Sequence, residues 1–101
     1  MTEDEIYAKA KLVWGYTNQA LMAVEEASEL QKELLHHLRG RGDTRKVVDE
    51  LADMIIMCRQ MRKIFNPDKV DERIRFKLAR LENRLEVASG QKEGRKRRRK
   101  M

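Results

Sequence analysis

A chain of 101 residues has room for one domain, and a domain this small buries only about 60–65% of its unfolded surface, so its own helix packing leaves it marginal and favours oligomerisation. Charged residues make up 40% of it, good helix formers dominate, β-branched runs are few and there is a single proline, which favours an all-α fold. The formal charge of +6 resembles a nucleic-acid signal, but residues 90–101 hold seven Lys or Arg against one Glu, while residues 1–89 hold sixteen basic groups against sixteen acidic ones.

Thr2 or Asp4 can cap a first short helix through about Trp14, with Ile6, Ala10 and Val13 on its apolar face, and Gly15 offers a break. From about Thr17, Leu21, Val24, Ala27, Leu30, Leu34 and Leu38 recur every three or four residues and predict a long amphipathic helix ending at Arg39 and Gly40. Gly40-Arg41-Gly42 supplies a turn, and Asp43 or Thr44 can cap a third helix carrying Val47, Leu51, Met54, Ile55, Cys58, Met61 and Ile64. That helix should stop at Asn66, because a proline disfavours helical geometry in the residue before it, and Pro67 then suits the first turn of a fourth helix. The fourth helix is expected to run to about Val87 on a stripe of Val70, Ile74, Leu78, Leu81 and Leu85 suited to a partner helix, with Ser89 and Gly90 ending it. Residues 1–89 thus form the domain, and 90–101 read as a disordered basic tail.

One cysteine, Cys58, cannot form an internal disulfide, and acidic residues rather than an apolar leader follow Met1, so a cytoplasmic protein is expected. No apolar run approaches the ~20 residues of a membrane span.

Two acidic doublets carry the chemistry, Glu26-Ala27-Ser28-Glu29 and Glu50-Leu51-Ala52-Asp53. Residues three apart lie only about 60° apart around a helix, so each doublet points one way, and both border faces that must be buried. Two carboxylates about 4 Å apart repel by ~1 kcal/mol in water and by about 4 kcal/mol at an effective dielectric of 20. Two such pairs facing each other across a bundle therefore want a cation. An all-oxygen donor set favours a hard ion, and Mg²⁺ suits it because that ion keeps several waters and is held by carboxylates together with substrate phosphates; Mn²⁺ can substitute.

The pair of doublets, twenty residues apart, resembles the E-x-x-E, spacer, E-x-x-D signature of the all-α nucleotide pyrophosphohydrolases, the superfamily that includes MazG and the dimeric dUTPases. The similarity extends from about Trp14 through Leu85. It implies a four-helix MazG-like bundle completed as a homodimer or homotetramer, with Mg²⁺ held by Glu26, Glu29, Glu50 and Asp53. The substrate would be a nucleoside triphosphate, cleaved to the monophosphate and pyrophosphate, with Glu25, Glu29 or Asp53 taking the proton of the attacking water. Lys77, Arg80 and Arg84, at i, i+3 and i+7, are similar to the family's late-helix basic pattern, which implies contacts to the phosphates, although Leu81 stands where family members often have Asn. Resemblance to a family glutamine at Gln19 implies contact with the nucleotide; Asn18 lies beside it, and Trp14 could stack on a base.

Three other readings compete. Glu33-Leu34-Leu35-His36 is one E-x-x-H, whereas a di-iron carboxylate bundle needs two together with two further glutamates. The tail run Arg95-Lys96-Arg97-Arg98-Arg99-Lys100 would bind nucleic-acid phosphates without sequence choice, and it contains no aromatic residue for base stacking. A catalytically silent helical interaction module is the third.

Overall fold

The computed structural model describes residues 1–90 with their side chains, and its three helices are α1 (Glu3–Leu38), α2 (Thr44–Ile64) and α3 (Pro67–Lys100). No strand occurs among the described residues, so the all-α expectation holds. Gly90 continues α3, and the disorder and nucleic-acid contact expected of the rest of the basic tail, 91–101, fall outside the residues whose side chains are described.

Four helical segments were expected, and the first two follow one another across a kink as the two limbs of α1. Thr2 caps α1, its hydroxyl accepting from the Glu5 amide at 3.2 Å, and Glu3, Asp4 and Glu5 place negative charge in the first turn, where the helix dipole favours it. Gly15 interrupts the helix with φ 78° and ψ 167°, a conformation open to glycine and closed to side chains bearing a Cβ. One residue thus bends the chain between residues 3–14 and 16–38, which correspond to the two expected helices.

Gly40 ends α1 in the left-handed region at φ 71°, where the Arg41 amide reaches back to the His36 carbonyl at 2.9 Å and the Gly40 amide to that of His37 at 3.0 Å. Asp43 caps α2 by accepting from the Arg45 amide at 2.9 Å. At its other end α2 stops two residues before the proline-preceding position expected, with Phe65 as cap residue and Asn66 at φ 86°. Asn tolerates that conformation better than most residues, and Pro67 bars the α region there in any case. Along α3 the chain passes through Ser89 and Gly90 without ending, since each lowers helix propensity by no more than about 1 kcal/mol and neither blocks the hydrogen-bond ladder as proline does.

The chain divides into two units, 1–67 and 68–101. In the first, residues 3–14, 16–38 and α2 pack together. Tyr7, Ala10 and Met57 are its buried apolar residues, and the ring of Tyr16 meets that of Phe65 at 5.4 Å. Glu26 near Asp53, Gln19 near Gln60 and Tyr16 near Phe65 give pairs whose numbers sum to about 80, the signature of antiparallel helices. The inward row of α1 is Gln19, Met22, Ala23, Glu26, Leu30 and Glu33, and that of α2 is Val47, Glu50, Met54, Met57, Gln60, Met61 and Ile64. Leu21, Val24, Leu34 and Leu38, expected on the buried face of α1, are exposed. The seam is therefore rotated from the apolar stripe and carries polar groups.

In the second unit Ile74, Leu78, Leu81 and Leu85 lie exposed along α3, and the Arg73 guanidinium sits 4.6 Å from the centre of the Phe76 ring. No helix among the described residues is long and apolar enough to cross a membrane.

Candidate metal centre

Glu26 of α1 and Glu50 and Asp53 of α2 come together, with one carboxylate oxygen from each lying within 4.8 Å of the others. Both helices contribute because the antiparallel register sets residue 26 against residue 53, and the i,i+3 spacing keeps Glu50 on the same side as Asp53. Glu26 and Glu50 are half-buried in the seam and Asp53 is exposed, so the cluster opens to solvent on the Asp53 side.

Glu50 bears the greatest electrostatic load. Its Oε2 is out of solvent and accepts no hydrogen bond. Lost hydration is the first cause that raises its pKa above the ordinary 4.5; the charge of Glu26, a hydrogen bond that only the protonated carboxyl can donate to Glu26, and the charges of Asp53 and Glu29 add to it. No basic side chain figures among these influences. The cluster is thus an all-oxygen donor set with an unsatisfied, partly buried carboxylate at its centre, and a hard divalent cation fits it.

Glu29 stands apart from the three-residue cluster. It is exposed, and its charge reaches Glu50 more weakly than those of Glu26 and Asp53. Glu25 is also exposed, on the outer side of α1. Asn18 is engaged locally: its side-chain amide donates to the Trp14 carbonyl at 2.9 Å, across the bend at Gly15. Trp14 is half exposed and lines a cavity, while Gln19 is sealed in the seam at 1% exposure, its amide nitrogen 3.7 Å from the Met22 sulfur. Lys77, Arg80 and Arg84 belong to the second unit, where all three are exposed on α3 and the Arg80 guanidinium lies 6.0 Å from the Phe76 ring centre.

Gln60 escaped the sequence reading, and Glu33 was weighed there only as part of an E-x-x-H, not as a seam residue. Glu33 is buried, seven residues after Glu26, and its Oε2 has no partner; Gln60 is buried, seven after Asp53, and its Oε1 has none either. The signal was present in the spacing, because 19, 26 and 33 on α1 and 53 and 60 on α2 repeat at seven. A search for apolar residues passes over it.

Comparisons with models of protein families, with curated proteins and with solved structures find no match for this chain.

Proposed function

We propose that the chain is a Mg²⁺-dependent nucleoside triphosphate pyrophosphohydrolase, in keeping with its resemblance to the MazG-like enzymes. The observation that carries this reading is the convergence of Glu26, Glu50 and Asp53 from two helices on one point, with no cationic side chain of the described residues among them. An exposed acidic stripe serves solubility without such convergence.

Glu26, Glu50 and Asp53 hold the ion, with Glu29 beside them as a further ligand or as the base. When bound, Mg²⁺ draws charge from the phosphate oxygens and lowers the pKa of a coordinated water. Water oxygen forms a bond to one phosphorus of the α–β anhydride, the bridging P–O bond breaks, and the products are nucleoside monophosphate and pyrophosphate. The proton goes to a carboxylate, for which Glu25, Glu29 and Asp53 are the candidates. The polyphosphate carries more negative charge than one divalent ion neutralises, and the exposed Lys77, Arg80 and Arg84 of α3 are the basic residues that the resemblance offers for it. The small apolar core of the first unit and the bare leucine stripe of α3 support assembly with a second copy, as dimer or tetramer.

The test is a panel of NTPs and dNTPs with Mg²⁺ or Mn²⁺, scored for pyrophosphate release. At least one nucleotide should be cleaved, with EDTA abolishing release and Asp53→Asn and Glu29→Gln each slowing it. Well-folded protein that cleaves none, or turnover indifferent to both substitutions, refutes the proposal.

A further inference from the structure

Among the cavities of the first unit, two border residues 3–14. One, of about 410 Å³, has an apolar wall that includes Ala10, Val13 and Trp14; the other, of about 280 Å³, is bordered by Tyr7 and Gln19. Gln60 lines both. Its side chain is 9% exposed, and its Oε1 is shielded from solvent with no donor in reach. Folded proteins leave few buried carbonyl oxygens in that state, because the lost hydration is not recovered. Across the seam, the amide of Gln19 spends a donor on the Met22 sulfur, a weak acceptor. One layer of the bundle therefore holds an unused acceptor and a poorly used donor against an apolar wall.

The position of this layer gives it meaning. Gln19 precedes Glu26 by seven residues and Gln60 follows Asp53 by seven, so on both helices the amides lie two turns, roughly 10.5 Å, from the carboxylates and on the same face. A nucleotide with its phosphates at the acidic cluster extends its base over about that span.

We propose that the larger cavity, the one walled by Ala10, Val13 and Trp14, receives the nucleobase and that Gln60 determines which base is preferred. The inference rests on the phosphates occupying the carboxylate site as set out above. A carboxamide presents an acceptor and a donor side by side, and a base edge presents an N–H next to a carbonyl or ring nitrogen, so the two pair in a plane. The apolar wall and the Trp14 indole cover the faces of a flat heterocycle, while the edge finds the amide. A phosphate or a free sugar would leave the apolar wall unused.

Two measurements test this, and they fail independently of one another. In the first, ¹H–¹⁵N spectra of the protein with Mg²⁺ are recorded with each of four nucleoside 5′-monophosphates differing only in the base. The side-chain amides of Gln60 and Gln19 and the indole of Trp14, the chain's single tryptophan, should shift by amounts that depend on the base. Equal shifts for all four, or shifts confined to other residues, overturn the proposal.

In the second, kcat/KM with Mg²⁺ is compared across four nucleoside triphosphates for the wild type, Gln60→Leu and Gln60→Glu. The leucine variant should narrow the spread between best and worst base by about tenfold, through KM rather than kcat. The glutamate variant keeps the shape but loses the donor, and should reorder the preference; it also serves if the leucine variant does not fold. A side chain that only fills space or holds a water would lower stability and leave the ratios between bases unchanged, which overturns the proposal. Base-dependent shifts without pyrophosphate release would instead sink the hydrolase reading and leave the cavity as a base site.

Discussion

Near the start of α1, the first unit pairs its charges. Arg59 meets Glu3 at 2.9 Å, Lys63 meets Asp4 at 3.1 Å, and the Tyr7 hydroxyl donates to the same Glu3 carboxylate. Further along the same two helices, Glu26, Glu50 and Asp53 converge with no such partner among the described residues. The two clusters shift their carboxyl groups in opposite directions. Tyr7 and Arg59 hold Glu3 below its ordinary pKa, whereas lost hydration and three neighbouring carboxylates push Glu50 above its own. One polypeptide, on one helix pair, thus satisfies acids where they join segments and leaves them unsatisfied at the cluster proposed to hold a cation. An unsatisfied cluster is costly to fold, so its persistence is the physical argument for a cation.

The largest effect expected from breaking this contrast is on turnover. Glu50→Gln removes the central anionic donor and should lower pyrophosphate release more than about 100-fold, since Lewis-acid stabilisation of developing charge is worth several kcal/mol. Glu3→Gln, a carboxylate removed from the paired cluster, should leave turnover within about twofold. Steady-state assays of both variants at saturating Mg²⁺ decide this, and equal losses would erase the distinction between the clusters.

Thermal stability sharpens the same comparison. A ligand at a hundred times its dissociation constant stabilises the folded state by about 2.7 kcal/mol, which for a domain this size raises Tm on the order of ten degrees. Mg²⁺ should produce such a rise in the wild type and little of it in Glu50→Gln, measured by calorimetry. In EDTA the order should invert, with Glu50→Gln melting above the wild type because a like-charge contact has gone.

How far all this could be read from the sequence depended on which residues face inward. The helix ends were legible: Thr2 and Asp43 cap as expected, and Gly15 and Gly40 take the positive φ that their positions required. Both acidic doublets were legible because charge at i,i+3 beside alanines and leucines stands out, although three of the four carboxylates, not all four, form the close cluster. The seam itself was not legible. Its polar positions, Gln19, Glu26, Glu33, Glu50 and Gln60, dilute the apolar periodicity, so the leucine-rich stripe through Leu21, Leu34 and Leu38 looked like the core and proved exposed. Hydrophobic periodicity finds faces buried by oil; a face buried around a polar site needs the seven-residue repeat whatever fills it.

Acid titration should separate the clusters next, by slope rather than by loss of function. A carboxyl group whose folded pKa is raised binds protons more readily folded than unfolded, so the metal-free protein should lose stability as pH rises from 4.5 through the folded value of Glu50. Glu3, with a lowered folded pKa, contributes stability that is present above 4.5 and lost as pH falls through its folded value. Urea midpoints collected across this range in EDTA should show both limbs. Glu50→Gln should flatten the upper limb alone and Glu3→Gln the lower alone; either variant flattening both would mean that the clusters titrate as one.

The smallest effect belongs to Lys63. Its bond to Asp4 joins residues 3–14 to α2, but the two side chains are 39% and 72% exposed, so water and salt screen most of the attraction. Lys63→Met should move Tm by no more than about 4 °C, and by less at 0.5 M salt, where the wild-type pair is already screened. The second cavity, which Lys63 and Gln60 both border, gives this minor variant a further use. If base preference depends on Gln60 and not on the charge at the cavity edge, Lys63→Met should leave the ratios of kcat/KM between bases as in the wild type. A change in those ratios matching that of Gln60→Leu would move the source of selectivity from the buried amide to the paired cluster.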